Sequence, residues 1–229
     1  MTKKIWKAKF GGELIPQDAL GGTSVVKHDD EIFALATKTG DWLPRLQLMT
    51  SNSDKCKDGS FPVNHYALID GSNYTDVGET VDVLVITWRP KAIEMGDEII
   101  TVYDPKHPEF ERIQLKSDEQ DSGCMFGIEF LVWMATKKQF ATFFMGSKSS
   151  RREAPNVKAL LRKAATLKSH MIEGKKYKWQ SPCVTPCSTP FETPSIEDLK
   201  AEVEKFNNPP QTEVQTADAG EKEATSRER

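Results

Sequence analysis

The chain has 229 residues, 38% of them hydrophobic, with a formal charge of −3 and a pI near 5.9. That is enough apolar material for one sizeable core, or one core with appendages, and the bulk charge marks no class of partner. No stretch approaches the ~18–20 apolar residues of a membrane span. The opening MTKKIWKAKFGGELIPQD has lysines but no apolar run of a secretory signal, so the cytoplasm is the expected compartment and no membrane partner is expected.

Residues 1–60 carry little pattern. Glycine pairs at 11–12 and 21–22 read as loop or turn. The apolar run at 43–49 predicts a short strand or helix packed on a core through Trp42, Leu46 and Leu48. Strand grammar begins at VNHYALI (63–69), which ends in the turn DGSN. ETVDVLVITWR (79–89) follows, with Val81, Val83, Val85 and Thr87 on one face and Asp82, Leu84, Ile86 and Trp88 on the other, closed by Pro90. EIITVYD (98–104) predicts a third strand and ERIQL (111–115) a fourth. MFGIEFLVWMA (125–135) and QFATFFM (139–145) form a predicted hairpin across 136–138. Five or six strands with short connections predict an antiparallel sheet or small barrel.

EAPNVKALLRKAATLKSHMIEGKK (153–176) turns helical. Val157, Leu160, Leu161, Ala164, Leu167 and Met171 make an apolar stripe, with Pro155 in the first turn, Gly174 at the C-terminal cap, and Lys158, Arg162, Lys163 and His170 on the opposite face. Pro182, Pro186, Pro190 and Pro194 predict a stiff extended segment. SIEDLKAEVEKF (195–206) predicts a short helix capped by Ser195 and Asp198, with Ile196, Leu199, Val203 and Phe206 as its stripe. The polar residues 207–229 predict a disordered tail. The expected organisation is a β-barrel domain with a basic helix over 1–180, a Pro-rich linker and short helix over 181–206, and the tail.

Charge is segregated along the chain. Residues 1–136 carry 14 Lys/Arg against 22 Asp/Glu, a net of −8; residues 137–179 carry 12 Lys/Arg against Glu153 and Glu173, a net of +10; residues 180–229 carry 5 against 10, a net of −5. A net of +10 in 43 residues costs stability by self-repulsion. A bound polyanion offsets that cost and releases counterions; packing beside the acidic remainder of the same chain is the other account.

Other chemistries are less well supported. GSKSS (146–150) lacks the glycine directly before the lysine of a phosphate-binding loop, and the preceding pattern is antiparallel. Asp82, Glu94, Asp97, Glu98 and Asp104 do not fall into the converging pattern of a two-metal nuclease. The four histidines are isolated, and Cys183 and Cys187 lack two further zinc ligands at suitable spacing. The sequence therefore predicts no enzyme, no cofactor and no metal site. What remains is an aromatic-plus-basic combination: Trp133, Phe140, Phe143 and Phe144 beside Lys137 and Lys138, Trp88 beside Arg89, and Trp179 after three lysines. Single-strand binders stack bases on aromatics and track phosphates with lysines, each stacked base contributing about 1–3 kcal/mol.

The segments VDVLVITWRP, SGCMFGIEFLVW and FATFFMGSKSSRREAPNVKAL give the chain, over roughly residues 40–206, a layout that resembles the OB-fold single-stranded DNA-binding proteins of tailed-phage replication modules. Such proteins often end in an acidic tip with a final aromatic that recruits replication partners; this chain ends EKEATSRER. The resemblance implies an OB-like antiparallel barrel with a basic C-terminal helix. It implies non-sequence-specific binding and protection of single-stranded DNA in phage-type replication or recombination, in the host cytoplasm, with replication or recombination proteins as further partners. The expected nucleic-acid contacts are Trp88, Arg89, Trp133, Lys137, Lys138, Phe140, Phe143, Lys148, Arg151, Arg152, Lys158 and Arg162. The alternatives are a phage structural or interaction protein whose basic patch meets an acidic partner, and a metal-dependent nuclease.

Overall fold

The computed structural model describes residues 25–28, 43–96, 99–119, 122–174 and 178–208. The fold is mainly β with helices packed on it. In chain order the elements are β1 (Val25–His28), β2 (Arg45–Leu48), α1 (Asp54–Lys57), β3 (Tyr66–Asp70), β4 (Asn73–Gly78), β5 (Val81–Met95), β6 (Ile99–Val102), α2 (Pro108–Lys116), β7 (Cys124–Met134), β8 (Gln139–Met145), α3 (Lys148–Ala159), β9 (Ala164–Glu173), β10 (Lys178–Pro186) and α4 (Ile196–Asn207). Trp42 and residues 209–229, the bulk of the expected tail, lie outside the described residues. No described helix is long and apolar enough to cross a membrane.

One sheet runs β1-β6-β5-β7-β8-β2-β3-β4, and β9 with β10 branches from β5. The branch exists because β5 is long. Its start pairs with β9 (Val81↔Leu167 to Leu84↔Ala164), its end pairs with β6 (Ala92↔Val102 to Met95↔Ile99), and its other edge pairs with β7 throughout. All pairings are antiparallel except β2 with β8, which is parallel. The described pairings do not close the sheet into a barrel: the outer edge of β8 is taken by β2, and β10 pairs with β9 alone. The two flanks still approach each other, since the Tyr66 hydroxyl of β3 donates to the Lys168 carbonyl of β9 at 2.8 Å.

The strand over 79–89 continues through Pro90 to Met95. Between Ile86 and Lys91 the edge of β5 facing away from β7 has no strand partner among the described residues, and proline is tolerated where an edge is open. A bulge between Val85 and Thr87 shifts the register. Val81, Val83, Val85 and then Trp88 therefore face the main core, while Leu84, Ile86 and Arg89 face the other side.

The 111–115 segment is helix, not strand. Nδ1 of His107 accepts from the Glu109 amide at 3.2 Å, Pro108 opens the first turn, and Glu109 and Glu111 lie at the positive end of α2. Phe110 and Ile113, three apart, bury its inner face. The single basic helix over 153–176 is also corrected. α3 starts earlier, capped by Ser147, whose hydroxyl accepts from the Ser150 amide at 3.2 Å, so Pro155 lies inside it. The chain leaves the helix at Arg162, whose φ is +61°, and the Arg162 amide donates to the Val85 carbonyl at 2.6 Å. From there Ala165 and Leu167 alternate inward as strand. The 180/181 boundary falls inside β10, a strand of the main body, and Pro182 and Pro186 are accommodated because β10 is an edge strand.

The main core lies between the curled sheet and α3: Leu46, Tyr66, Val83, Phe130, Val132, Phe143, Ala154, Val157 and Leu167 are all buried there. On the opposite face α4 packs Val203 and Phe206 against Leu84, Ile86, Leu131 and Trp133. The β7–β8 hairpin closes at one end only with glycine, because a Cβ on Gly127 would stand 2.0 Å from the Met145 carbonyl oxygen.

Candidate nucleic-acid interface

Eleven of the twelve sequence-predicted contacts separate into four groups, and Lys137 stands apart. The first is core. Phe143 is 2% exposed and packs edge-on against Tyr66 at 6.2 Å between ring centroids. It cannot stack on a base without unfolding the sheet, which corrects that expectation.

The second group lies on the α4 face. Arg89 is 5% exposed, its guanidinium sandwiched between the rings of Tyr103 (3.6 Å) and Phe206 (4.1 Å). It bonds the Glu129 carboxylate at 2.8 and 2.7 Å and donates to the Phe206 carbonyl. Lys91 reaches the same carboxylate at 2.6 Å. Burial alone would raise the Glu129 pKa, but Lys91 and Arg89 outweigh it and hold the carboxyl down at about 2. Trp133 is also buried; its indole N–H donates to the Glu192 carbonyl at 3.0 Å, and Phe140 stacks on it edge-on at 4.9 Å. Lys138, at the hairpin tip with φ +51°, is paired with the Glu192 carboxylate. In this conformation Arg89 and Trp133 contact the protein's own chain, not a solvent-borne strand.

The third group is at the far end of the hairpin, about 20 Å from Lys138 along β8. Lys148 and Arg151 both face Asp118, at 3.3 and 3.6 Å. Arg151 also donates to the carbonyls of Phe126 and Gly146 and covers the Phe126 ring at 4.0 Å. Its role is largely to tie α3 to the sheet. Lys137 is exposed at the other end, near Asp76.

The fourth group lies on α3 and the turn into β9, with Trp88 on β5. Nζ of Lys158, at the end of α3, stands 3.2 Å from the centroid of the half-buried Trp88 ring, and burial lowers the Lys158 pKa. Arg152 is exposed on α3, Lys163 is exposed at the entry to β9, and Lys168 is exposed on β9. None of these three has a carboxylate partner among the described residues. Arg162 follows α3 and turns the chain toward β5. The +10 block is thus not one track. Part of it is paired with Asp118 and Glu192, and part, on α3 and β9, has no carboxylate partner among the described residues.

No family model, curated protein or solved structure matches this chain.

The site therefore stands on its own geometry. Lys168 was absent from the sequence-predicted contacts because a single helix over 153–176 left it off the outer face; Lys163 was placed on that face but not among the contacts. Lys91 was missed because nothing in sequence marks a lysine that shares a carboxylate with Arg89. Among the described residues no group of three or more His, Cys, Asp or Glu side chains is placed to hold a metal ion.

Proposed function

We propose that this protein binds single-stranded DNA without sequence preference, on a partly open OB-like framework, and serves DNA replication or recombination of the phage type. The observation that carries the reading is a run of cations from α3 into β9: Arg152, Lys158, Lys163 and Lys168 form no ion pair with a carboxylate among the described residues, and Lys158 lies over the Trp88 ring. Folded proteins disperse or pair such charge unless a polyanion offsets it. The half-buried Trp88 indole, which Lys158 covers at 3.2 Å, would offer a stacking surface once Lys158 turns to a phosphate, and stacking is what would distinguish a single strand from a simple acidic partner.

The framework supports the same reading. β5, β7, β8, β9 and β10 pair as first with second, second with third, first with fourth and fourth with fifth, and α3 lies between the third and fourth. This order supports reading the five strands as a Greek-key barrel left open between the third and fifth. Fold alone does not carry function, so the test addresses the cations. In Lys158→Ala with Lys163→Ala, two phosphate contacts are lost. At about 0.7 each, the slope of log affinity against log salt should flatten by about 1.4, with the loss of affinity uniform across base sequences. An unchanged slope in the folded variant would assign the charge to another partner.

A further inference from the structure

Arg89, Trp133, Lys138 and Phe140 share one face of the sheet, and the chain's own residues 191–206 lie over it. We propose that this face is a second single-strand contact surface, and that residues 191–206 occupy it as an intramolecular stand-in that a bound strand displaces. The inference rests on the single-strand reading above.

Beside the apolar packing of Val203 on the sheet, the covering segment makes contacts of a kind a nucleotide makes. The Phe206 ring stacks on the Arg89 guanidinium at 4.1 Å, as a base would. The Phe206 carbonyl accepts from the same guanidinium, and the Glu192 carboxylate sits on the Lys138 ammonium, as phosphate oxygens would. The Glu192 backbone carbonyl accepts the Trp133 indole N–H at 3.0 Å. The segment carries Glu192, Glu197, Asp198, Glu202 and Glu204 against Lys200 and Lys205, so its net charge matches a polyanion in sign.

The surface beneath is built to outlast departure of the cover. Tyr103 supports Arg89 from below at 3.6 Å, and Glu129 holds both Arg89 and Lys91 from the sheet. Removing Phe206 uncovers the outer face of a guanidinium that is already oriented. Residues 187–195, which connect α4 to β10, have no regular structure, so the cover can move without breaking a strand pairing.

Displacement makes the two equilibria reciprocal: a strand that displaces the cover loosens it, and a loosened cover raises apparent affinity by the gain in competent fraction. Two arms test this with fluorescein-labelled oligodeoxythymidylate at low salt. In the wild-type chain, saturating oligonucleotide should speed tryptic cleavage after Lys200 and Lys205 at least fivefold, identified by mass spectrometry; unchanged or slowed cleavage overturns the proposal. Val203→Asp puts a carboxylate among Leu84, Ile86, Leu131 and Trp133 and expels α4, so it should bind about tenfold tighter. Equal or weaker binding by a folded Val203→Asp chain, with its cleavage accelerated, shows that the uncovered face does not take the strand, which overturns the proposal and leaves the single-strand reading intact. Absence of binding by both chains overturns both readings. If Val203→Asp does not fold, by circular dichroism, the wild-type cleavage arm decides alone.

Discussion

Glu129→Gln probes the buried charge network on which the α4 face is built. The substitution keeps the side-chain shape and removes the one negative charge shared by Arg89 and Lys91, whose side chains are 6% and 15% exposed against 2% for Glu129. Breaking a buried pair by removing one partner costs about 3–5 kcal/mol, because a charge is left unmatched in low dielectric. Here Arg89 retains the Phe206 carbonyl and two aromatic faces, and Lys91 can turn toward water, so the lower end, about 3 kcal/mol, is expected. For a chain of this size that is a fall of roughly 6–12 °C in Tm, measurable by circular dichroism. The pH dependence supplies an independent check. The folded pKa of about 2 lies below the ordinary 4.5. Glu129 therefore contributes stability that is fully present above about pH 4.5 and lost as pH falls through 2. The wild-type advantage over Glu129→Gln should shrink across that window. A difference under 1 kcal/mol at pH 7, or one that persists undiminished at pH 2, would refute the account of the network.

Other substitutions separate structural from binding roles. Phe143→Ala should lower stability by about 3–5 kcal/mol, read by urea titration, with no selective effect on the salt slope. Arg152→Ala should leave Tm nearly unchanged and flatten the salt slope by about 0.7. Arg151→Ala, which leaves the Phe126 and Gly146 carbonyls without their donor, should instead cost about 1–3 kcal/mol of stability. Incubation of the purified chain with single- or double-stranded DNA and Mg²⁺ or Mn²⁺ should give no cleavage on a denaturing gel; nicking lost in Asp82→Asn would overturn the non-enzymatic reading.

Elements whose signals are local were legible in the sequence. The β7–β8 hairpin has two apolar runs and a short polar turn, and α4 has its Ser195 cap and an Ile196, Leu199, Val203, Phe206 stripe. The α3–β9 region was not legible, because Leu167 and Met171 satisfy a helical spacing as well as an alternating one. The deciding event is a backbone reversal at Arg162 toward β5, some 80 residues away in sequence. The helix at 108–116 was hidden because a five-residue window cannot distinguish the two periods, and its cap is a histidine, outside the usual Ser, Thr, Asp and Asn set. The candidate site was legible in composition and not in arrangement. Sequence showed that cations and aromatics are concentrated together; it gave no means to tell Arg89, which Glu129 neutralises across the sheet, from Lys163, which faces solvent. The stripe of α4 announced that it docks, and only the fold shows that it docks over Arg89 and Trp133.

The central claim is tested most directly by fluorescence anisotropy of a labelled oligonucleotide titrated with the full chain across a salt series. Matched single strands of different base order and a duplex of the same length complete the set. The account predicts affinity for single strands that falls steeply with salt, varies little with base order and exceeds that for the duplex. No binding at low salt, or tighter binding to the duplex than to either of its strands, would contradict it.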